Sequence, residues 1–546
     1  MFGIDEPHPY GVLPYGNLLL VADDDKRLRR RTGLGAMLNA MSDEALVEML
    51  SFLPPQDLAI LSRCSRALYV YCHHSDLWRD LTLRLFPDDV VRYRDCWKET
   101  FVSTFVRKNN PAGAQHASHV PLKITGIYSN LLHRSWACHS CDLATACPGF
   151  FAHDDVPREE ATLLSLTGFV GDYESKNKPV VIRHAVAAWP ACNKWTESYI
   201  AQAGKDSKFR ATSATAPLPA IFTLEEYFNY ARQAREEAPL YLFERDFCKL
   251  APSLENDFSV PSYFDPALPG KSPEPSSPVR THPLAHHTDL FRLFGDQARP
   301  DYRWLICGPA RSGSIFHIDP NQTNAWNVSV VGRKKWIFYP PGVPPPGVVA
   351  DAAGAEVTVP ISTGEWLLSF WSAHLECRRD PDLRRRPLEV IVEPGELVFV
   401  PHGYWHMVLN LDSCIALTQN YVSSSNLCDV LRFLRDTPDQ ISGVRDRSSE
   451  AVQPEEFYDS FLAKLAIELP ENVLELIVQE SKLRSIHEAD VLGPTEQARL
   501  DVFELNRRKK VRKRGEGGGG GGGEDALPSL TRPSPPPELF TFGFSL

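Results

Sequence analysis

No apolar run in the 546 residues approaches the roughly 20 needed to cross a bilayer, so no membrane span is expected. A compact cysteine framework is also missing. The twelve cysteines are scattered and form no compact framework of paired spacing, the pattern of reduced thiols in a nuclear or cytosolic protein. Positive charge is in deficit: 58 Lys and Arg against 69 Asp and Glu leave a net charge of −11. That argues against nucleic-acid binding by bulk charge and leaves only local basic patches for it. The opening MFGIDEPHPYGVLPYGNLLLVADDDKRLRRR is acidic and Pro-interrupted, unlike a signal peptide. What is present is a globular composition, 43% hydrophobic, on a chain long enough for two to four domains.

The most informative stretch is SGSIFHIDPNQTNAWNVSVVGRKKW, residues 312–336, read with PGELVFVPHGYWHMVLNLD, residues 394–412. Positions two apart on a strand point the same way, so His317 and Asp319 can present an imidazole and a carboxylate to one point. His406 lies in a later apolar, β-rich run and completes two histidines and one carboxylate. Such a set, with open positions on the metal, is the facial triad of non-haem iron(II) oxygenases. A bare His-x-Asp also fits a histidine capping a turn and an aspartate opening a β-turn before Pro320. Lys334 follows in a second strand, and Thr418 and Asn420 in a third. Lysine suits a ligand carboxylate as a compact point charge, although beside Arg333 and Lys335 it also reads as a solvated neighbour.

Four motifs in order, SGSIFHIDPNQTNAWN, GRKKWIFYPP, PGELVFVPHGYWHMVLN and IALTQNY, closely resemble the Jumonji-C (JmjC) oxygenases. Within that family they look like the branch containing the protein once called the phosphatidylserine receptor. The resemblance runs from KPVVIRHAVAAWPACNKW, residues 178–195, through PLYLF and YRWLICGPARSG to about Ser425. It implies that His317, Asp319 and His406 bind Fe(II). It implies that Lys334 and Thr418 hold the 2-oxoglutarate carboxylate, with Asn327 and Ser314 as further cofactor contacts. The implied fold is a cupin-type double-stranded β-helix, or jelly roll. The short β runs Asn324–Val331, Lys335–Tyr339, Leu388–Val392, Glu396–Val400, His406–Leu411 and Cys414–Tyr421, without long helices between them, agree with a sandwich or barrel.

The whole chain reads as α+β, with a helical F-box, the JmjC jelly roll and a C-terminal helical annex. The expected division is a flexible N-terminus 1–35, F-box 36–85, helical connector 86–160, oxygenase domain 161–425, annex 426–505 and disordered tail 506–546. In residues 41–81, Ser42 starts a helix carrying Leu46, Met49, Leu50 and Leu53. Pro54-Pro55 stops it, and Asp57 caps the next. The order of motifs through Cys64-Ser65-Arg66 and Leu77-Trp78-Arg79 resembles the F-box, which implies docking to the Skp-type adaptor of a cullin ubiquitin ligase. Leu50, Leu53, Pro54 and Leu58 are the expected anchors, and the F-box and oxygenase halves are expected to be separable. Cys138-x-x-Cys141 and Cys147, near His133 and His139, form one pair without a second, so they read as buried thiols rather than structural zinc. The Pro/Ser-rich 266–287 and 340–356 read as loops bordering the cleft. Phe457, Phe461 and Leu465 mark a packing or dimerisation helix. NRRKKVRKR, residues 506–514, reads as a nuclear localisation signal, a nucleic-acid contact or a solvated cluster, followed by a flexible glycine run. The expected compartment is the nucleus, with the cytoplasm second.

Two readings of function follow. One is an Fe(II)- and 2-oxoglutarate-dependent dioxygenase that hydroxylates or demethylates a protein lysine or arginine, coupled to ligase recruitment; relatives acting on RNA make RNA the second substrate class. The other is a non-catalytic substrate-recognition subunit using the JmjC domain as a binding module. All three ligands and the lysine are retained, which favours catalysis.

Overall fold

The computed structural model describes residues 7–15, 33–109, 122–264, 289–350, 357–445 and 452–490. The Lys26–Arg31 cluster, the 266–287 loop, part of the 340–356 loop, the basic run 506–514 and the glycine run lie outside them. Two sheets face each other. The larger has nine strands in the order Arg158–Glu160, Val180–Arg183, Leu397–Val400, Asn324–Val331, Cys414–Tyr421, Arg303–Gly308, Tyr241–Glu244, Phe209–Thr212 and Ala220–Phe222. The smaller has four: Leu388–Val392, Lys334–Tyr339, Trp405–Asn410 and Gly313–His317. Every pairing from Asn324 to Tyr421 is antiparallel. The six expected β runs fall within two residues of the observed strands.

Side-chain alternation sorts the smaller sheet into two faces. In Lys334–Tyr339, Lys334 and Trp336 line the space between the sheets, while Ile337 and Tyr339 turn outward into a second apolar cluster. The outward face is covered by the helix Thr363–Cys377, which buries Trp366, Leu367, Trp371 and His374. This corrects the expectation that no long helix interrupts the strands. Its start is legible: Ser362 Oγ accepts from the Glu365 amide at 2.9 Å while Glu365 accepts from the Ile361 amide at 2.7 Å, a variant of the capping box. Beneath the helix lies a buried charge cluster. Glu389 stands 3.0 Å from Lys335 Nζ, 3.0 Å from His374 Nε2 and 2.8 Å from an Arg378 nitrogen. Burial works to raise the Glu389 carboxyl, but these partners hold it down at about 2.

The N-terminal helices begin as expected, with Ser42 Oγ accepting from the Ala45 amide at 3.2 Å to cap Asp43–Ser51. Asp57 does not cap the next helix. Pro54 occupies the cap position and Pro55 the first helical residue of Pro55–Leu61, where its fixed φ and missing N–H cost nothing. The expected docking leucines also need correcting. Leu50 and Leu58 are 0% exposed and belong to the interior, whereas Phe52 and Ile60 are 78% and 61% exposed.

The expectation that the two halves are separable meets a shared core. Leu46, Leu50, Leu58 and Trp78 share one continuous apolar core with Phe209, Phe222 and Phe399 of the larger sheet. Arg79, itself buried, pairs with Asp76 and Asp80 at 3.0 Å and donates to Thr215 Oγ1 at 3.0 Å. Cys138, Cys141 and Cys147 are buried free thiols; Cys141 Sγ accepts from Arg311 at 3.8 Å, and Cys147 donates to the Leu367 carbonyl at 3.7 Å. At the C-terminus Phe457, Phe461 and Leu465 are buried against Phe291, Phe294 and Leu431 of the same chain, so their role is packing. Among the described residues no helix is long and apolar enough to cross a membrane.

The shared core generates a test. Arg79→Ala removes one partner of a buried ion-pair cluster, a loss of about 3–5 kcal/mol, toward the lower end because Asp76 stays 35% exposed. Calorimetry of the full chain should show the principal transition moved down as one unit. An N-terminal transition that shifts alone, leaving the rest unmoved, would contradict the shared core.

Candidate metal and cofactor site

His317 ends the strand Gly313–His317. Asp319 lies just beyond it, leading into a short 3-10 turn, with its backbone still extended at φ −59° and ψ 140°. The alternation argument therefore aims the carboxylate correctly although Asp319 is outside the strand. Strict alternation alone would turn Ser314 away from His317. A register shift between His406 and Val408 pairs His406 with His317 and Val408 with Ser314, and this irregularity brings both residues of the edge strand to the cavity.

The turn after Asp319 is held from outside the sheets. Asn321, at φ 57°, donates to the Ser442 carbonyl at 3.0 Å and accepts from its amide at 3.1 Å. Asn426 donates to the Gln322 carbonyl at 2.8 Å. His402, close before His406 in sequence, bridges Asn324 and Asp429 at 3.2 and 3.1 Å. Residues after the jelly roll thus pin the loops that carry the ligands.

One ligand atom from each of His317, Asp319 and His406 lies within 4.8 Å of the other two. His317 Nε2 and His406 Nε2 stand 3.9 and 3.8 Å from Asp319 Oδ1. Each ring is oriented by its own strand: His317 Nδ1 donates to the Ile315 carbonyl at 2.8 Å and His406 Nδ1 to the Tyr404 carbonyl at 3.1 Å. A carbonyl can only accept, so both Nδ1 atoms carry hydrogen and both Nε2 lone pairs face the carboxylate, as metal-binding histidines require. Burial lowers both imidazoles to about 4, with the neighbouring His406 adding to the effect on His317. Burial raises Asp319 to about 6 against the pull of His317 and a hydrogen bond from Asn420.

All seven expected residues, His317, Asp319, His406, Lys334, Thr418, Asn327 and Ser314, line one space of ≈ 50 Å³ between the sheets. Lys334 is 1% exposed, not solvated beside its neighbours, and donates to Tyr241 Oη at 3.1 Å and Asn410 Oδ1 at 2.8 Å. Thr418 donates to the Trp326 carbonyl at 3.0 Å. Sequence reasoning missed Tyr241, Trp304, Trp336 and Asn410. Two of them carried a usable signal: Trp336 is two residues from Lys334 on the same face, and Asn410 is four residues after His406 in the same run.

Residues 43–84 match the F-box-like family model and residues 167–426 the Cupin-like domain model. Over 499 residues the chain is 35% identical to the arginine-specific demethylase JMJ22 of Arabidopsis thaliana, covering 91% of this chain and 88% of that protein. The chain belongs to the Jumonji-C oxygenase family. It is 30% identical over 278 residues to the bifunctional arginine demethylase and lysyl-hydroxylase psr-1 of Caenorhabditis elegans, covering 50% of this chain and 63% of that one. It is 32% identical over 263 residues to the 2-oxoglutarate and iron-dependent oxygenase JMJD4 of Homo sapiens, covering 43% and 55% respectively.

The Jumonji-C site fits both groups the family implies. Two neutral imidazoles and a carboxylate suit a divalent iron with positions left over. For a cofactor carboxylate, the cavity offers a buried ammonium beside the Thr418 hydroxyl and the buried Trp336 Nε1–H, a donor with no protein partner.

Asp319→Ala should abolish Fe(II) binding, measured under argon, without lowering the melting temperature of the metal-free protein. The sign follows from the raised carboxyl: above about pH 6 the ionised group is buried without a cation, a cost that alanine does not carry. Retained stoichiometric iron binding would remove Asp319 from the ligand set.

Proposed function

We propose that this chain is an Fe(II)- and 2-oxoglutarate-dependent dioxygenase that demethylates or hydroxylates an arginine or lysine side chain of a protein. The observation that carries the reading is the convergence of three donor atoms within 4.8 Å beside a buried lysine that shares their cavity. The names of JMJ22 and psr-1 support arginine demethylation as the first activity to test and lysine hydroxylation as the second.

In this reading His317, Asp319 and His406 hold the metal, and Lys334 with Thr418 holds the distal carboxylate of 2-oxoglutarate, with Asn327 and Ser314 close by. When bound, iron and 2-oxoglutarate supply the oxygen activation, in which 2-oxoglutarate becomes succinate and carbon dioxide while a substrate C–H becomes C–OH. On an N-methyl group the resulting carbinolamine breaks its C–N bond, releases formaldehyde and returns a proton to nitrogen. The protein's part is positioning and exclusion of water. Tyr241, Phe243, Trp304 and Trp336 supply aromatic walls, and such faces attract a methylated guanidinium or ammonium group. A nuclear protein substrate suits the basic run 506–514, and the six-part division of the chain serves as the working map.

Purified full-length protein with Fe(II), 2-oxoglutarate and a methylated arginine peptide should release succinate and formaldehyde in equal amounts. Succinate without peptide modification, across arginine and lysine peptides alike, would turn the reading away from proteins and toward RNA. Lys334→Ala should raise the 2-oxoglutarate requirement roughly ten- to hundredfold, the worth of a charge-assisted hydrogen bond. An unchanged titration would move that role to another residue.

The helical module supports recruitment of a Skp-type adaptor. Because Leu50 and Leu58 are interior, the apolar surface for such a partner is Phe52 and Ile60 with half-buried Leu53. Phe52→Asp with Ile60→Asp should abolish adaptor pull-down while circular dichroism stays unchanged, because neither side chain supports the core. Binding that survives both charges would remove this surface from the proposal.

A further inference from the structure

Lys334 and Lys335 are adjacent, both 1% exposed, and their charges are answered differently. Lys335 Nζ stands 3.0 Å from the Glu389 carboxylate. Lys334 Nζ donates to two uncharged oxygens, Tyr241 Oη at 3.1 Å and Asn410 Oδ1 at 2.8 Å. Among the described residues no carboxylate lies within 4.0 Å of it.

Asn410 sits directly opposite Lys334 in the antiparallel ladder. That is the position where an oppositely charged side chain is the ordinary stabilising partner, yet this chain carries a neutral amide. The amide's orientation is imposed from behind. Ser312 Oγ donates its hydrogen to the Pro309 carbonyl at 2.6 Å, so toward Asn410 it can only accept, and Asn410 Nδ2 stands 2.9 Å away. With Nδ2 committed to Ser312, Oδ1 faces Lys334. Both relay residues are buried, so no water competes for them.

We infer that Asn410, latched by Ser312, is a positioning residue that aims the Lys334 ammonium into the cavity while withholding a counter-charge, so that the distal carboxylate of 2-oxoglutarate supplies the missing anion. This rests on the function proposed above and adds the device that makes the lysine available. An aspartate at 410 would have nearly the same shape and would accept the same hydrogen bond. It would also neutralise Lys334 in advance and set a like charge beside an arriving carboxylate, which disfavours binding. The neutral acceptor holds the ammonium without spending its charge.

The test uses the full-length protein loaded with Mn(II), which occupies hard and imidazole donors, with 2-oxoglutarate titrated by calorimetry. Wild type should bind. Asn410→Asp should bind roughly ten- to hundredfold more weakly, as expected for losing a charge-assisted contact. Asn410→Ala should lose less, and Ser312→Ala, which frees the amide without altering charge, roughly two- to tenfold. Mn(II) affinity should be unchanged in all three, and the cofactor-free melting temperature of Asn410→Asp should not fall below that of wild type.

A merely structural role gives the opposite order, because aspartate is the closest mimic of asparagine and alanine leaves a cavity. Asparate-variant binding within twofold of wild type, or alanine weaker than aspartate, overturns the inference. So does a loss of Mn(II) affinity in Asn410→Asp, which would place the effect at the metal. If Asn410→Asp does not fold, Ser312→Ala decides: wild-type binding there overturns the relay. Failure of wild type itself to bind 2-oxoglutarate removes the proposed function and this inference with it, an outcome distinct from a wild type that binds and a variant that binds equally.

Discussion

Burying a lysine is unfavourable unless something answers its charge, and one strand of this protein buries two in succession. The pleat sends Lys335 outward, where Glu389, clamped among His374, Arg378 and Lys335, neutralises it beneath the helix Thr363–Cys377. The same pleat sends Lys334 inward to a phenol and an amide. A single strand therefore has a closed electrostatic face and an open one. The closed face ties the covering helix to the sheet and holds the strand still. The open face leaves a charge that a small dianionic ligand is suited to complete. Rigidity on one side is what allows the incomplete arrangement on the other, since a mobile strand would let Lys334 swing toward solvent.

The metal triad follows the same principle with the sign reversed. Both histidines spend Nδ1–H on a backbone carbonyl two residues earlier in their own segments, so their orientation costs no further side chain. Three Lewis-basic atoms then converge within 4.8 Å of one another. Burial depresses both imidazoles and lifts the Asp319 carboxyl, the direction in which desolvation moves each group toward its neutral form. Ammonium and triad share one cavity but remain separate deficits, an anion wanted at one and a cation at the other. A dicarboxylate bound to a divalent metal would meet both requirements at once.

Much of this was legible because β patterning in an antiparallel sandwich is local. The strands from Asn324 to Tyr421 announce themselves by short apolar runs between turn residues, and the four motifs carry the triad with them. What was not legible depends on register. Ser314 and His317 share a cavity only because the ladder is irregular between them, and no alternation rule applied to the edge strand alone anticipates that. Asn410 acquires its meaning from lying opposite Lys334, a pairing between residues 76 apart in sequence. The helix Thr363–Cys377 was different: Ser362 and Glu365 followed by Trp366, Leu367, Phe370 and Trp371 carried cap and period together, and the expectation of uninterrupted strands passed over them. The leucines of the N-terminal module misled for a third reason. Periodicity identifies an apolar stripe but not what covers it, and Leu50 and Leu58 lie in the core shared with the larger sheet.

That covering bears on how the two activities are joined. The helices from Asp43 to Asn109 do not hang from the oxygenase by a linker; their leucines and Trp78 continue into the packing of Phe209 and Phe222. Arg79 reaches into the turn at Thr215, and Trp97 donates its indole hydrogen to the buried Glu236. Phe209 and Phe222 lie on the two outermost strands at one end of the larger sheet, and the next strand inward is Tyr241–Glu244, which carries the phenol that touches Lys334. The N-terminal helices and the strand that carries Tyr241 are thus joined through one core, which holds Phe209, Phe222 and Leu242. A partner held by Phe52 and Ile60 would be fixed in orientation relative to the cavity mouth, and a substrate presented to one would be presented at a set angle to the other. Fusion rather than tethering would make the geometry between any such recruitment and oxidation a property of the fold.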